Sequence, residues 1–265
     1  MTGPVPILLY HAVSDDPPAW IAPFTVSPAA FASHLDAVTA SGRQALTVSH
    51  YLDGLRGAAS LPPRPVLITF DDGFADFATG ALPALAQRDL PTTLYVTTGA
   101  LADLAPESVL PPAPMLRSAD LPDLEAAGVE IGGHSHTHRQ LDLLPGREAV
   151  SELTRSRDLL AQVLGHAVRS FAYPHSYWRP QLLRQVRQAG FDSACAVGNG
   201  LSGERDNPLA LSRLMVTADT SPATVAAWLD GSGARVLTRR RRVLAFGWRQ
   251  YRRVRQLGRA GEWSP

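Results

Sequence analysis

The chain has 265 residues, 45% of them hydrophobic, and a formal net charge of +1. That suits one large α/β domain or two small ones with a full core, and it excludes a polyelectrolyte. The charge is uneven, since residues 235–265 hold ten Arg and one acid, Glu262, which leaves −8 on residues 1–234; all 25 basic residues are Arg. The single cysteine, Cys195, excludes an internal disulfide, and its Ser-Ala-Cys-Ala-Val setting reads as a small buried hydrophobe.

Pro6 to Tyr10 reads as a first buried strand, and His11 to Pro23 as a polar loop rich in Asp and Pro. Met1 to Tyr10 lacks the basic start of a signal peptide. No run reaches the roughly 18 apolar residues of a membrane span. The expected location is the cytoplasm. Ser27 caps a helix with Pro28 in its first position; Phe31, Leu35 and Val38 recur at helical spacing and Gly42 stops it. Ala45 to Val48 reads as a short strand and Ser49 to Leu55 as a short helix. Val66 to Phe70 is an apolar strand and Phe74 to Gln87 a mostly helical stretch. Thr92 to Thr97 is a strand, residues 99–120 a Pro-rich loop over one face, Ala119 to Ala127 a short helix, and Val129 to Gly133 a strand. A helix is expected from Leu143 to Leu164, strands at Arg169 to Tyr173, Ser193 to Val197 and Leu211 to Val216, and helices at Pro180 to Ala189 and Pro222 to Leu229. Strands alternating with helices imply βαβ units and a parallel sheet. About seven of them fit a closed α/β barrel, with functional groups at the C-terminal strand ends.

Two stretches carry chemistry. Leu67-Ile68-Thr69-Phe70-Asp71-Asp72-Gly73 ends a strand in two carboxylates and a glycine. Side chains alternate along a strand, so neighbouring carboxylates point different ways: one can face a metal while the other moves a proton. Asp-Gly is also ordinary turn chemistry. The second stretch, Ile131-Gly132-Gly133-His134-Ser135-His136-Thr137-His138, gathers three of the eight histidines. Read as one helical turn, His134 and His138 share a face, as two nitrogen ligands of a metal would, and His136 points away or bridges to another group. With Asp72 the set is two imidazoles and a carboxylate. Zn²⁺ is its expected occupant, with Co²⁺, Ni²⁺ and Fe²⁺ as alternatives. Such an ion lowers the pKa of its water to about 7, and Asp71 takes the proton as general base.

Together, Thr69-Phe70-Asp71-Asp72-Gly73 and His134-Ser135-x-Thr137-His138 resemble the polysaccharide deacetylases of carbohydrate esterase family 4, the NodB-homology family. The resemblance spans Pro6 to Leu229. It implies a distorted (β/α)7-type barrel over residues 1–234 with metal-bound water attacking an N-acetylated amino sugar, Asp71 as base, and Asp72, His134 and His138 as metal ligands. The substrate is expected in a polysaccharide, a lipid-linked precursor or a small glycoside. Two motifs depart from the family's pattern. Phe171-Ala172-Tyr173-Pro174-His175 puts Ala172 where an arginine is usual and His175 where an aromatic residue is usual, with the His175 N–H as candidate oxyanion donor. Leu211-Ser212-Arg213-Leu214 lacks the usual final-strand histidine. The chain resembles a branch of the family that opens with Ile-Leu-x-Tyr-His, as Ile7 to His11 does, and that uses Phe-x-Tyr-Pro and a final-strand arginine. On that resemblance Arg213 is expected to replace the missing arginine and hold Asp71 ionised, with His175, then His11, as general acid for the leaving amine. Tyr177 and Trp178 offer a platform for a sugar ring or simple surface packing.

Residues 235–265 combine Arg239 to Arg242 with Leu244, Trp248, Tyr251, Val254 and Leu257 at near-helical spacing. A basic helix with an aromatic side points to an anionic membrane surface and would hold the protein at its inner face; nucleic acid is the weaker reading. Two alternatives to the deacetylase stand: hydrolysis of another N-acyl group or a cyclic imide, and a carbohydrate-binding protein that has lost catalysis.

Overall fold

The computed structural model describes residues 3–236. Seven strands close into a parallel ring: β1 (Ile7–Tyr10), β2 (Pro65–Phe70), β3 (Thr92–Val96), β4 (Val129–Gly133), β5 (Ser170–Ala172), β6 (Ser193–Val197) and β7 (Leu211–Met215). Neighbours pair in sequence order, for example Leu8 with Ile68 and Leu94 with Ile131. β7 returns to β1 through Leu214 and Leu8, which closes the barrel. The expected barrel is thus present, with one difference: Gln44–Leu46 is a strand but pairs with the start of β2, outside the ring.

Helices lie between the strands: α1 (Pro28–Ala40), α2 (Val48–Leu55), α3 (Leu82–Ala86), α4 (Leu121–Ala126), α5 (Gly146–Leu164), α6 (Pro180–Gln188) and, after β7, α7 (Pro222–Leu229). Ser27 caps α1 through its hydroxyl, which accepts from the Ala30 N–H at 3.1 Å. The stretch expected to be helical from Phe74 to Gln87 is shorter than that. Phe77–Ala81 forms a wide turn in which the Leu82 N–H reaches the Phe77 carbonyl, and regular helix covers α3 alone. Pro83 fits a helix's first turn and not its interior. α5 likewise starts at Gly146 and not Leu143, because Pro145 takes the capping position. The β6–β7 link, residues 198–210, contains no helix.

Strand parity divides the core. Leu8, Tyr10, Ile68, Phe70, Leu94, Val96, Ile131, Phe171 and Leu214 face outward into one apolar cluster with the helices. Ile7, Leu67, Tyr95, Ala172, Cys195 and Leu211 face inward and form a second cluster with Val48, Tyr51 and Leu52 of α2, which plugs the lower end. Gly132 is required here, since a Cβ would stand 2.5 Å from the Tyr95 ring. Cys195 is buried in that interior, as its sequence setting suggests. The basic segment from residue 237 lies outside the described residues; Arg235–Val236 pairs with Gly200–Leu201.

Candidate active site

The inward parity of each strand delivers the site at the barrel's C-terminal mouth. Leu67 and Thr69 face inward on β2, and Asp71 continues that row, its N–H donating to the Tyr10 carbonyl at 3.0 Å. The chain then turns. Asp72 and Gly73 take positive φ of 75° and 89°, which costs a residue with a Cβ but lets Asp72 face the same cavity as Asp71. The Asp72 carbonyl accepts the Thr97 N–H at 3.1 Å, so β3 holds the turn. Strand alternation alone would point the two carboxylates apart; the left-handed turn at Asp72 brings both into the mouth.

His134 lies one step beyond β4, on its inward row. The expectation that His134 and His138 share a helical face is corrected: residues 134–138 form a loop, with Ser135 and His138 at φ of 62° and 64°. The loop brings the same two rings together, 5.0 Å apart. His138 Nε2 stands 3.1 Å and His134 Nε2 3.3 Å from Asp72 Oδ1. One ligand atom from each of Asp72, His134 and His138 lies within 4.8 Å of the others, and all three residues are buried. The donor set fits a divalent cation on three observations. Asp72 Oδ1 is buried without a hydrogen-bond donor. His134 Nδ1 donates to the Ala172 carbonyl at 2.9 Å, which leaves Nε2 as the lone-pair nitrogen. Two imidazoles and one carboxylate are also a common metal donor set.

Asp71 is anchored separately. Arg213 Nη1 and Nη2 donate to its two oxygens at 2.6 and 2.7 Å. The guanidinium is fully buried, bonds Thr69 Oγ1 at 3.3 Å and lies 5.6 Å from the Tyr95 ring centre. Burial alone would raise the Asp71 pKa; the Arg213 and His134 charges outweigh it and hold the carboxyl below its usual value. Burial also opposes the charge on Asp72, and His138 and His134 hold it well below the carboxylate range. His134 is raised, its burial outweighed by Asp71 and Asp72. Asp71 Oδ2 and His134 Nε2 are 3.8 Å apart, so the anchored carboxylate adjoins the metal-type triad.

His175 and His11 flank this group. His175 has a φ of 53°, and its ring lies 4.8 Å from His138 and 6.4 Å from Tyr177, nearly parallel to the latter. Burial and the adjacent His138 push it down to about 3, and its ring bonds the His138 backbone. It is neutral near pH 7. His11 continues the inward row of β1 and packs on Phe24 at 5.4 Å. Burial lowers its pKa, against the pull of Asp72 and Asp71. Trp178 is 38% exposed at the rim.

The sequence reading missed Thr69, Tyr95 and Glu152. Parity could have found the first two: Tyr95 sits on the inward row of β3 level with Asp71, in the register that pairs Phe70 with Leu94, and Thr69 lies one inward step below Asp71. Glu152 carries no signal, being one acid among many on a surface-type helix, and yet it is buried beneath the histidine loop.

A family model described as Polysaccharide deacetylase matches residues 58–194. The chain is 21% identical over 217 residues to a poly-beta-1,6-N-acetyl-D-glucosamine N-deacetylase of Staphylococcus aureus, covering 78% of this chain and 73% of that one. Among solved structures it is similar to IcaB from Ammonifex degensii, at 27% identity and a TM-score of 0.73, covering 86% of this chain and 98% of the other. The Streptococcus pyogenes deacetylase PplD in complex with acetate shares the fold, with 22% identity, a TM-score of 0.75 and coverage of 85% and 97%.

Proposed function

The chain belongs to the polysaccharide deacetylase family, and from that premise we infer that it removes N-acetyl groups from the amino sugars of a polysaccharide. The observation that carries the reading is the juxtaposition of a metal-type triad, Asp72, His134 and His138, with a second carboxylate, Asp71, clamped by a buried arginine. A divalent cation, Zn²⁺ by our proposal, would be held by that triad and supply a Lewis acid and a more acidic water. The rest of the chemistry falls to the protein's own groups.

Asp71 stays ionised because Arg213 occupies both its oxygens. The lone pair left on Oδ2, on the His134 side, takes the proton of the attacking water. The backbone N–H of His175 is the candidate donor to the oxyanion. The leaving amine then needs a proton. The neutral His175 ring has none to spare, being already bonded to the His138 backbone. Protonated Asp71 and His11 are the remaining donors. His11→Ala separates them: a loss of more than about tenfold in kcat, or 1.4 kcal/mol of barrier, assigns His11, and a loss under about threefold assigns Asp71.

The test is acetate release from N-acetylated glucosamine polymers and small glycosides after chelation and restoration of Zn²⁺ or Co²⁺, with Asp71→Asn as control. Release that depends on metal and is lost in the control supports the reading. No release with metal bound turns the assignment to another amide, and no metal uptake turns it to a binding protein. For the basic segment beyond residue 236 we propose attraction to anionic lipid; failure to sediment with phosphatidylglycerol vesicles at low salt ends that idea.

A further inference from the structure

The loop that carries two of the three metal-type ligands has no helix or sheet to hold it, and two of its residues, Ser135 and His138, occupy left-handed backbone. Something must fix it. From the β3 side, Gly99 N–H donates to the His136 carbonyl at 2.7 Å, Thr98 Oγ1 meets His136 Nδ1 at 2.9 Å, and Val109 N–H donates to the Thr137 carbonyl at 2.9 Å. A Cβ on Gly99 would stand 2.6 Å from the His136 carbonyl oxygen, so that approach needs glycine.

From the other side comes one residue. Glu152, buried on α5, accepts the His136 N–H at 3.0 Å and the Thr137 N–H at 2.7 Å on Oε2, and the Thr137 hydroxyl at 2.6 Å on Oε1. Two consecutive backbone N–H groups, one of buried His136 and one of half-buried Thr137, thus converge on one carboxylate oxygen, and both belong to residues between the ligands His134 and His138. A buried N–H left unpaired is costly, and Glu152 pairs both. With these bonds made, the loop bulges toward α5 and its ends carry the two imidazoles toward Asp72.

We propose that Glu152 is a positioning residue for the metal site: it sets cation affinity by fixing the loop that spans His134 and His138, without touching the cation or the substrate. The inference rests on the metal reading of Asp72, His134 and His138 given above. Partners that orient metal ligands are worth about 10–100-fold in metal affinity, and Glu152 orients two ligands through one loop.

The experiment measures Zn²⁺ dissociation constants by competition with a chromophoric chelator, at a temperature where every variant is folded by circular dichroism. Glu152→Ala weakens Zn²⁺ binding by about 10–100-fold. Glu152→Gln keeps an amide oxygen for the two N–H groups and an amide donor for Thr137 Oγ1, and stays within about threefold of the parent. Leu160→Ala, a core truncation on the same helix, lowers the melting temperature and leaves affinity unchanged. Should Glu152→Ala not fold, Thr137→Val removes one of the three bonds and weakens binding by severalfold. Affinity in Glu152→Ala, or in Thr137→Val where that stands in, equal to that of Leu160→Ala overturns the proposal, as does Glu152→Gln as weak as Glu152→Ala, which would make the effect one of charge. A parent protein that binds no Zn²⁺ would instead overturn the metal reading itself.

Discussion

Replacing Arg213 with methionine tests the logic of the site most directly. Methionine keeps the apolar stem and removes the guanidinium, so Asp71 is left buried, 4% exposed, with both oxygens stripped of donors at 2.6 and 2.7 Å. Breaking a buried pair by removing one partner costs about 3–5 kcal/mol. The cost must depend on pH, and its sign follows from the shift. With Arg213 present the folded pKa of Asp71 lies below its unfolded value, so its stabilising contribution is complete above the unfolded pKa and is lost as pH falls through the folded one. In Arg213→Met the folded pKa rises above the unfolded value, the penalty is complete above the new pKa, and it disappears in acid as Asp71 becomes neutral. Urea titrations of parent and variant should therefore differ by about 3–5 kcal/mol at pH 7.5, and the gap should narrow as pH falls, first as the variant's Asp71 takes up its proton and then as the parent's does. The acid limb of kcat/KM in the metal-restored enzyme should move to higher pH, because the base must still ionise. Asp71→Asn in the Arg213→Met background should recover part of the stability and none of the activity. An acid limb that stays in place, with under about 1 kcal/mol lost at pH 7.5, would refute the claim that Arg213 sets the charge of Asp71.

Other consequences are simpler. Asp76 is pushed up to about 6 by burial, with one oxygen lacking a partner; a raised carboxylate destabilises the fold as pH climbs through that value, so Asp76→Asn should gain about 1–2 kcal/mol at pH 8 and nothing at pH 4 by urea denaturation. Zn²⁺ at 100 times its dissociation constant should add about 2.7 kcal/mol to the parent's stability, an increment absent in His138→Ala, whose turnover should fall about a thousandfold. Burial drives the Cys195 thiol up to about 11, so iodoacetamide should leave the native protein unmodified at pH 8 by mass spectrometry, and Cys195→Ala should cost about 1 kcal/mol of stability without changing kcat.

The barrel was legible because its signals are local and repeated. Each strand is a short apolar run bounded by turn residues, and Ser27-Pro28 starts a helix by capping chemistry that needs no tertiary help. Elements failed where a distant contact decides the local state. The strand expected at Ala45 to Val48 is present as Gln44–Leu46, cut short where Thr47 caps α2, and its pairing with Pro65–Leu67 places it outside the ring. Phe77–Ala81 has helical composition but forms a wide turn, in which Gly80 passes so close to the Val13 carbonyl that a Cβ has no room. The histidine loop failed differently. Spacing of four fits a helical turn, yet a loop with two left-handed residues, Ser135 and His138, reaches the same convergence, the residues between them held by Glu152 and by the exit of β3. Sequence spacing reports that two side chains can meet; it does not report which backbone brings them there.

The arginine clamp shows why a barrel tolerates moving a functional group between strands. All seven strands point toward one axis, so any inward position at a given height can address the same space. Arg213, inward on β7, reaches that space from two strands away from β2. Arg213 pairs in register with Val197 while its side chain crosses to Thr69 and Asp71 of β2 and lies near Tyr95 of β3. A guanidinium is a rigid fork with donors at fixed spacing, so its two bonds to Asp71 constrain the carboxylate from either origin. The direction of approach still matters. Coming from β7, the fork takes one site on each oxygen of Asp71, and the His134 imidazole stands 3.8 Å from Oδ2. Lysine at the same position would neutralise Asp71 without fixing its orientation, so Arg213→Lys should retain most of the stability at pH 7.5 yet lose turnover, a separation that a purely structural ion pair would not give.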